Sequence, residues 1–166
     1  MNLRPVTAAD DLSLSIFLDS ETGDSHLFQT VKSLRAADMI ALERLVVEEG
    51  KILGYLCCAK MVEPADWWVL VSVVVSTSRG RKGMDHEMIS HGMNLARREN
   101  APAVLVLGDP AYYAQVGFSQ SAARNLDMPY GKAFTSLYPI EAGTELSSHT
   151  LVYPQALAPL GEPAGT

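Results

Sequence analysis

Cysteine is nearly absent from this chain: there are two, Cys57 and Cys58, side by side. Neighbours on an extended segment point to opposite faces, so the pair offers no disulfide framework, and both read as buried small hydrophobes, not nucleophiles. Long hydrophobic runs are missing too. The longest, Trp67 to Val75 with Ser72 inside it, is far shorter than the roughly 20 residues of a membrane-spanning helix. The opening MNLRPVTAADD has no apolar signal region, so a cytoplasmic protein with no membrane partner is expected. Positive charge is scarce. Thirteen Lys and Arg face 19 Asp and Glu, a net charge of −6, which repels polyphosphate backbones and excludes a general nucleic-acid binder. Several catalytic signatures are also lacking: no G-x-G-x-x-G, no G-x-x-x-x-G-K-[ST] and no G-x-S-x-G occurs. His86-Glu87-Met88-Ile89-Ser90-His91 is one residue too long for a zinc-protease H-E-x-x-H. At about 100° per helical residue the second histidine swings off the required face, and no metal is expected.

What is present describes a globular chain. A length of 166 residues suits one ordinary domain, and 48% hydrophobic with 19% charged residues is a folding composition. We expect a single domain over residues 1–153 and a loosely ordered tail over 154–166, where Pro154, Pro159, Gly161, Pro163 and Gly165 recur. Asn2 to Val6 reads as a short strand. Thr7 with Ala8, Ala9, Asp10 and Asp11 then caps a first helix, and Leu27, Val31 and Leu34 mark a second between His26 and Ala36. Ala41 to Glu48 and Lys51 to Met61 form a hairpin about Glu49-Gly50, the glycine taking a positive φ. The Val- and Leu-rich run Trp67 to Ser76 predicts a central strand buried on both faces. Trp67 and Trp68 alternate faces at its start, so at most one lines a pocket, and the other packs or lies at a homodimer contact.

Met84, Met88, Ile89, Gly92, Leu95 and Ala96 return every three or four positions in a stretch reaching Asn100, the stripe of a helix packed on a sheet. Ala103 to Leu107 follows as a short apolar strand. A strand–helix–strand unit of this kind makes the two strands parallel through a right-handed crossover. A short helix near Tyr112 to Gln115 and strands near Phe118 and Phe134 to Ile140 complete an α/β fold: a mixed, mostly antiparallel twisted sheet of about six or seven strands flanked by helices.

Two segments carry chemistry. Ser76-Thr77-Ser78-Arg79-Gly80-Arg81-Lys82-Gly83 joins the central strand to the long helix and puts Arg79, Arg81 and Lys82 beside an exposed helix N-terminus. Glycines let backbone N–H groups turn toward an anion, and the helix end adds partial positive charge. A solvated basic turn accounts for the same residues. In the second segment, Leu107 to Phe118, Asp109 and Pro110 start a very short helix and Gly117 ends it. This helix lies at the C-terminal end of a parallel strand, the usual place for a ligand crevice in such sheets. There the Tyr113 phenol can protonate a leaving group, or simply pack with its hydroxyl bonded.

The order of basic loop, helix, strand and LGDPAYYAQVGF resembles the GNAT superfamily of acyl-CoA-dependent N-acyltransferases, in its YhbS-like branch. The likeness runs from LRPVTAAD to LVYP, is most specific over APAVLVLGDPAYYAQVGF, and extends to the hairpin VVEEGKILGY. It implies a V-shaped opening between the two parallel strands. Acetyl-CoA is then the cosubstrate: its pantetheine pairs with the backbone of Val73 and Val75, and its pyrophosphate rests on Arg79, Gly80, Arg81, Lys82, Gly83 and Met84, with Asp109 and Tyr112 nearby. Tyr113 protonates the departing thiolate, and the acceptor is an amine of a small molecule or peptide. Its pocket is expected from the first two helices and the segment around Met128 to Phe134.

The chain departs from the family's Q/R-x-x-G-x-G/A loop. Gly80-Arg81-Lys82-Gly83-Met84-Asp85 occupies those six positions, and only Gly83 matches. Gly80 stands for the leading Gln or Arg, which Arg79 could replace from one residue earlier. Asp85 stands for the last small residue, placing a carboxylate where a pyrophosphate should sit. The competing expectation is therefore a catalytically weakened relative that binds a metabolite or partner without acyl transfer. No general base stands out; Ser72, or a water held by Ser76, Glu48 or Asp109, are the candidates.

Overall fold

The computed structural model describes residues 1–160. A strand β1 (Leu3–Pro5) leads through a 3₁₀ turn (Ala8–Asp10) into helices α1 (Asp11–Thr22) and α2 (Leu27–Ala36). Thr7 begins this passage as expected: the Asp10 carboxylate accepts from the Thr7 N–H at 2.7 Å and from Arg4 at 2.8 and 2.9 Å, tying the helical entry to β1. Strands β2 (Ile40–Glu48) and β3 (Lys51–Lys60) then pair antiparallel. Their turn is made by Glu49 and Gly50 at φ 51° and 73°, the left-handed pair that a two-residue hairpin matches to strand twist.

After β3 come β4 (Trp68–Val75), α3 (Met84–Arg98), β5 (Ala103–Leu107), α4 (Pro110–Ala114) and β6 (Thr135–Pro139). One six-stranded sheet in the order β1-β2-β3-β4-β5-β6 results. All its pairings are antiparallel except β4 with β5, because α3 carries the chain back across the face between those two. The strand expected near Phe118 is reduced to a single bridge, Ser119 to Leu137.

Helix α3 buries Met84, Met88, Ile89, Gly92, Met93 and Ala96 against Leu42, Leu56 and Leu70 on one face of the sheet. The other face is covered by α1 and α2 and by later loops. Arg35 of α2 reaches β2 through paired bonds of 2.9 Å to Glu43, which also accepts from the buried Tyr55 hydroxyl at 2.7 Å. Every charged group in this network is matched, so it reads as a structural tie between helix and sheet. Both cysteines are wholly buried, and burial pushes the Cys57 thiol up to about 12.

Trp67 and Trp68 take opposite faces, as expected, and both pack in core clusters. One expectation needs correction. Within the tail expected to be loose, Gln155–Leu160 form a 3₁₀ helix and Leu157 is buried in the core beside Tyr153. Two apolar anchors hold this stretch despite its prolines. Residues 161–166 of that tail lie outside the described residues.

Candidate functional site

The site begins with an irregularity in β4. Cys57 pairs with Ser72 and Cys58 with Leu70, leaving Val71 as an extra residue on β4. A bulge shifts side-chain alternation by one. Leu70 faces α3, but so do Val73 and Val75, while Val74 turns to the α1 side. At the same point the parallel pairing stops: β4 and β5 are in register only from Trp68–Val104 to Leu70–Val106. Beyond Leu70 the strands part into a V. Val71, Val73 and Val75 are only half-buried along its edge, where burial on both faces was expected. An open strand edge of this kind can take an extended ligand as an added strand.

The V opens onto the loop before α3. Ser76 organises that loop: its carbonyl accepts from the Gly80 N–H at 2.8 Å and its Oγ from the Arg79 N–H at 3.2 Å. The α1 residue Glu21 accepts from the Thr77 N–H at 3.0 Å. Among the described residues the N–H groups of Arg81, Lys82 and Gly83 make no hydrogen bond, and Arg79 and Lys82 have no ion-pair partner. Arg81 instead meets Glu48 at 3.1 Å, an exposed pair. Gly80 is required by space. A Cβ there would lie 2.4 Å from Val75 Cγ1 and 2.5 Å from the Ser76 carbonyl oxygen. The departure at this position therefore reflects a tighter loop. Gly80→Gln, which places the leading residue of the Q/R-x-x-G-x-G/A pattern here, is expected to lower Tm by roughly 3–10 °C, the effect of forcing atoms into filled space, and not to tighten anion binding. A melting scan with and without coenzyme A checks this.

Asp85, on the first turn of α3, is the unexpected feature. It accepts a hydrogen bond from the Tyr112 hydroxyl, and His86 Nε2 lies 3.9 Å away. Burial pushes the Asp85 carboxyl up, but the Tyr112 hydroxyl and the amides of His86 and Asp85 outweigh it, and the group sits below the ordinary carboxylate range. The acid is thus engaged by the amides of its own helix turn, and it joins α3 to α4.

Tyr112 and Tyr113 consequently differ. Tyr112 is committed to Asp85, and burial followed by that bond raises its pKa. The Tyr113 hydroxyl has no hydrogen-bond partner among the described residues. Its ring is held edge-on by Tyr112 and Phe118, with centroids at 4.9 and 5.6 Å. Burial first, and then the Asp85 charge, raises the Tyr113 pKa, so the phenol keeps its proton across physiological pH. Asp109 caps α4 by accepting from the Ala111 N–H at 3.0 Å, and Ser76 is occupied in the loop.

On the α2 side of the sheet, at the base of the V, lies a partly open cavity of about 140 Å³. Val69, Val71 and Leu107 form its floor, and Tyr130, Tyr153 and Leu157 close it. The segment around Met128 to Phe134 contributes through Tyr130, as expected. Neither α1 nor α2 lines it; the C-terminal stretch does so instead. Composition alone gave no signal for that stretch. Among the described residues no group of three or more His, Cys, Asp and Glu could hold a metal ion, and no helix is long and apolar enough to cross a membrane.

Comparison with solved structures decides the architecture. The YhbS N-acetyltransferase of Escherichia coli, solved in complex with CoA, superposes with a TM-score of 0.84 over 94% of this chain and 91% of its own, at 18% identity. A GNAT family acetyltransferase of Brucella melitensis, solved with acetyl-CoA, gives 0.76 over 94% and 97%, at 21% identity. The chain has the GNAT fold. The ribosomal-protein-S18-alanine N-acetyltransferase of Escherichia coli shares the GNAT fold at a TM-score of 0.67 over 86% of this chain and 95% of its own, with 14% identity. In sequence, the chain is similar to the uncharacterized N-acetyltransferase YhbS of Escherichia coli K12, 26% identical over 82 residues. That segment is 48% of this chain and 49% of the relative, so the chain spans about half the length of the curated relatives it matches. No protein-family model matches it.

Proposed function

We propose that this chain is an acetyl-CoA-dependent N-acyltransferase of the cytoplasm that moves an acetyl or similar acyl group to the amine of a small molecule or peptide. The observation carrying this reading is the unpartnered Tyr113 hydroxyl beside a V whose open edge, at Val73 and Val75, runs into a loop with free amides. Val73 and Val75 bond the extended pantetheine through their backbone. Arg79, Lys82 and the N–H groups of residues 81–83 hold the pyrophosphate, over the start of α3 at Met84. A neutral amine attacks the thioester carbonyl, the C–N bond forms and the C–S bond breaks. Tyr113 gives its proton to the departing thiolate and regains one from solvent, while the amine proton leaves through water.

A second reading, a GNAT-fold protein that binds a metabolite or partner without acyl transfer, is favoured by one observation: the Asp85 carboxylate, bonded to the His86 and Asp85 amides, puts negative charge on the first turn of α3 directly after the loop the pyrophosphate needs. Calorimetric titration with acetyl-CoA separates the two. A transferase binds in the micromolar range, about −8 kcal/mol, and releases free thiol when an amine is added. Absence of binding at millimolar coenzyme would leave only the second reading.

A further inference from the structure

Among the described residues, no charged side chain lines the cavity at the base of the V. Val69, Val71, Leu107 and Leu157 present aliphatic walls, and Tyr130 and Tyr153 stack with centroids 5.5 Å apart and planes at 16°. An unpaired ammonium or guanidinium placed there would lose its hydration with nothing to replace it. Its volume of about 140 Å³ is close to the ~150 Å³ of an apolar cavity that takes a benzene ring. The Tyr153 hydroxyl is buried beside the Thr135 hydroxyl, which donates to the Gly131 carbonyl at 2.7 Å.

The position matters as much as the chemistry. Val71 is both the bulged residue of β4 and a wall of the cavity. An arm running along β4 from Val75 toward Val71 brings its reactive end to the cavity mouth. The cavity lies on the α2 face, across the sheet from α3, so a second reactant reaches that end without crossing the anion loop.

Resting on the transferase reading above, we infer that this cavity receives the non-reacting part of the acceptor: an uncharged aromatic or branched aliphatic group no larger than about a benzene ring, carried by a small primary amine. Polycationic acceptors, which would bring a second ammonium into the cavity, are rejected. An acyl chain longer than acetyl shares the apolar chemistry. The cavity's place on the face opposite α3 favours the amine, which there meets the reactive end from the side away from the anion loop.

The experiment compares 2-phenylethylamine, methylamine and spermidine by thiol release at saturating acetyl-CoA, in the wild type and in Leu157→Trp, which fills the cavity. Leu157→Phe serves if the larger residue abolishes a cooperative melt. The expected result is a kcat/KM for 2-phenylethylamine at least tenfold above that for spermidine. Filling the cavity should remove at least tenfold of it, leaving methylamine turnover and acetyl-CoA affinity within about twofold. Preference for spermidine, or an equal loss for all three amines, overturns the inference. So does a preference for butyryl-CoA over acetyl-CoA that Leu157→Trp abolishes while 2-phenylethylamine turnover persists, because the cavity then belongs to the acyl group. NMR titration of 2-phenylethylamine without coenzyme keeps the two proposals apart. Shifts at the Val69, Val71 and Leu157 methyls with no acyl-CoA binding would sink the transferase reading and retain the cavity's ligand class. Transfer to spermidine with those methyls unmoved would do the reverse.

Discussion

Replacing Tyr113 by phenylalanine is expected to lower kcat by roughly a hundredfold while leaving acetyl-CoA affinity within about twofold, the signature of a proton donor used only as the thiolate departs. Geometry supports a clean substitution. The ring is fixed by Tyr112 and Phe118, and by Gly108, where a Cβ would stand 2.5 Å from Tyr113 Cε2, so phenylalanine keeps every packing contact. Only the hydroxyl is lost, and it supports no bond among the described residues. Tyr112→Phe is the matched control. It breaks the bond to Asp85 without removing the proposed donor, and its effect should fall on coenzyme affinity. Rapid-quench measurement of both variants tests the assignment: an undiminished rate in Tyr113→Phe removes that residue from the reaction.

Asp85→Asn should tighten coenzyme A binding by about tenfold or more. A unit charge some 5 Å from a phosphate costs roughly 1–3 kcal/mol for effective dielectric constants between water and a protein surface. The difference between the two proteins should shrink as salt is raised. Calorimetry at two ionic strengths reads both effects; equal affinities would show that the carboxylate does not oppose the phosphates. The same acid governs a pH dependence. Its folded pKa lies below the ordinary value, so the stability it contributes is present above about pH 4 and is lost as pH falls through the lowered value. Acid melts of Asp85→Asn should lack that part of the decline. Removal of the Asp85 charge should also relax the raised pKa of Tyr113.

The candidate site was legible where it depends on local sequence. The basic loop, the Asp109-Pro110 helix start and the Tyr-Tyr pair lie within short segments whose residue types state their chemistry. Other parts depend on residues far apart in the chain. Asp85 and Tyr112 are 27 positions apart, so their bond was invisible, and with it the division of labour between Tyr112 and Tyr113. Gly80 looked like a loss because the loop motif was read as a string; its neighbours Val75 and Ser76 show that the position has no room for a side chain. The C-terminal stretch was misjudged from its Pro and Gly content, although Tyr153 and Leu157 are large enough to anchor it.

By itself the sequence determined the order of the main helices and strands, the parallel pair flanking α3, and the basic charge of the loop before α3, since each follows from periodicity, capping or local composition. Only the tertiary structure decided which face each β4 side chain takes. A run of Val and Leu carries no polar marker to locate the Val71 bulge, and that bulge forms through register with β3. Tertiary packing likewise decided the cavity and the engagement of Asp85, because both are made by segments that meet only once the sheet has assembled around its core.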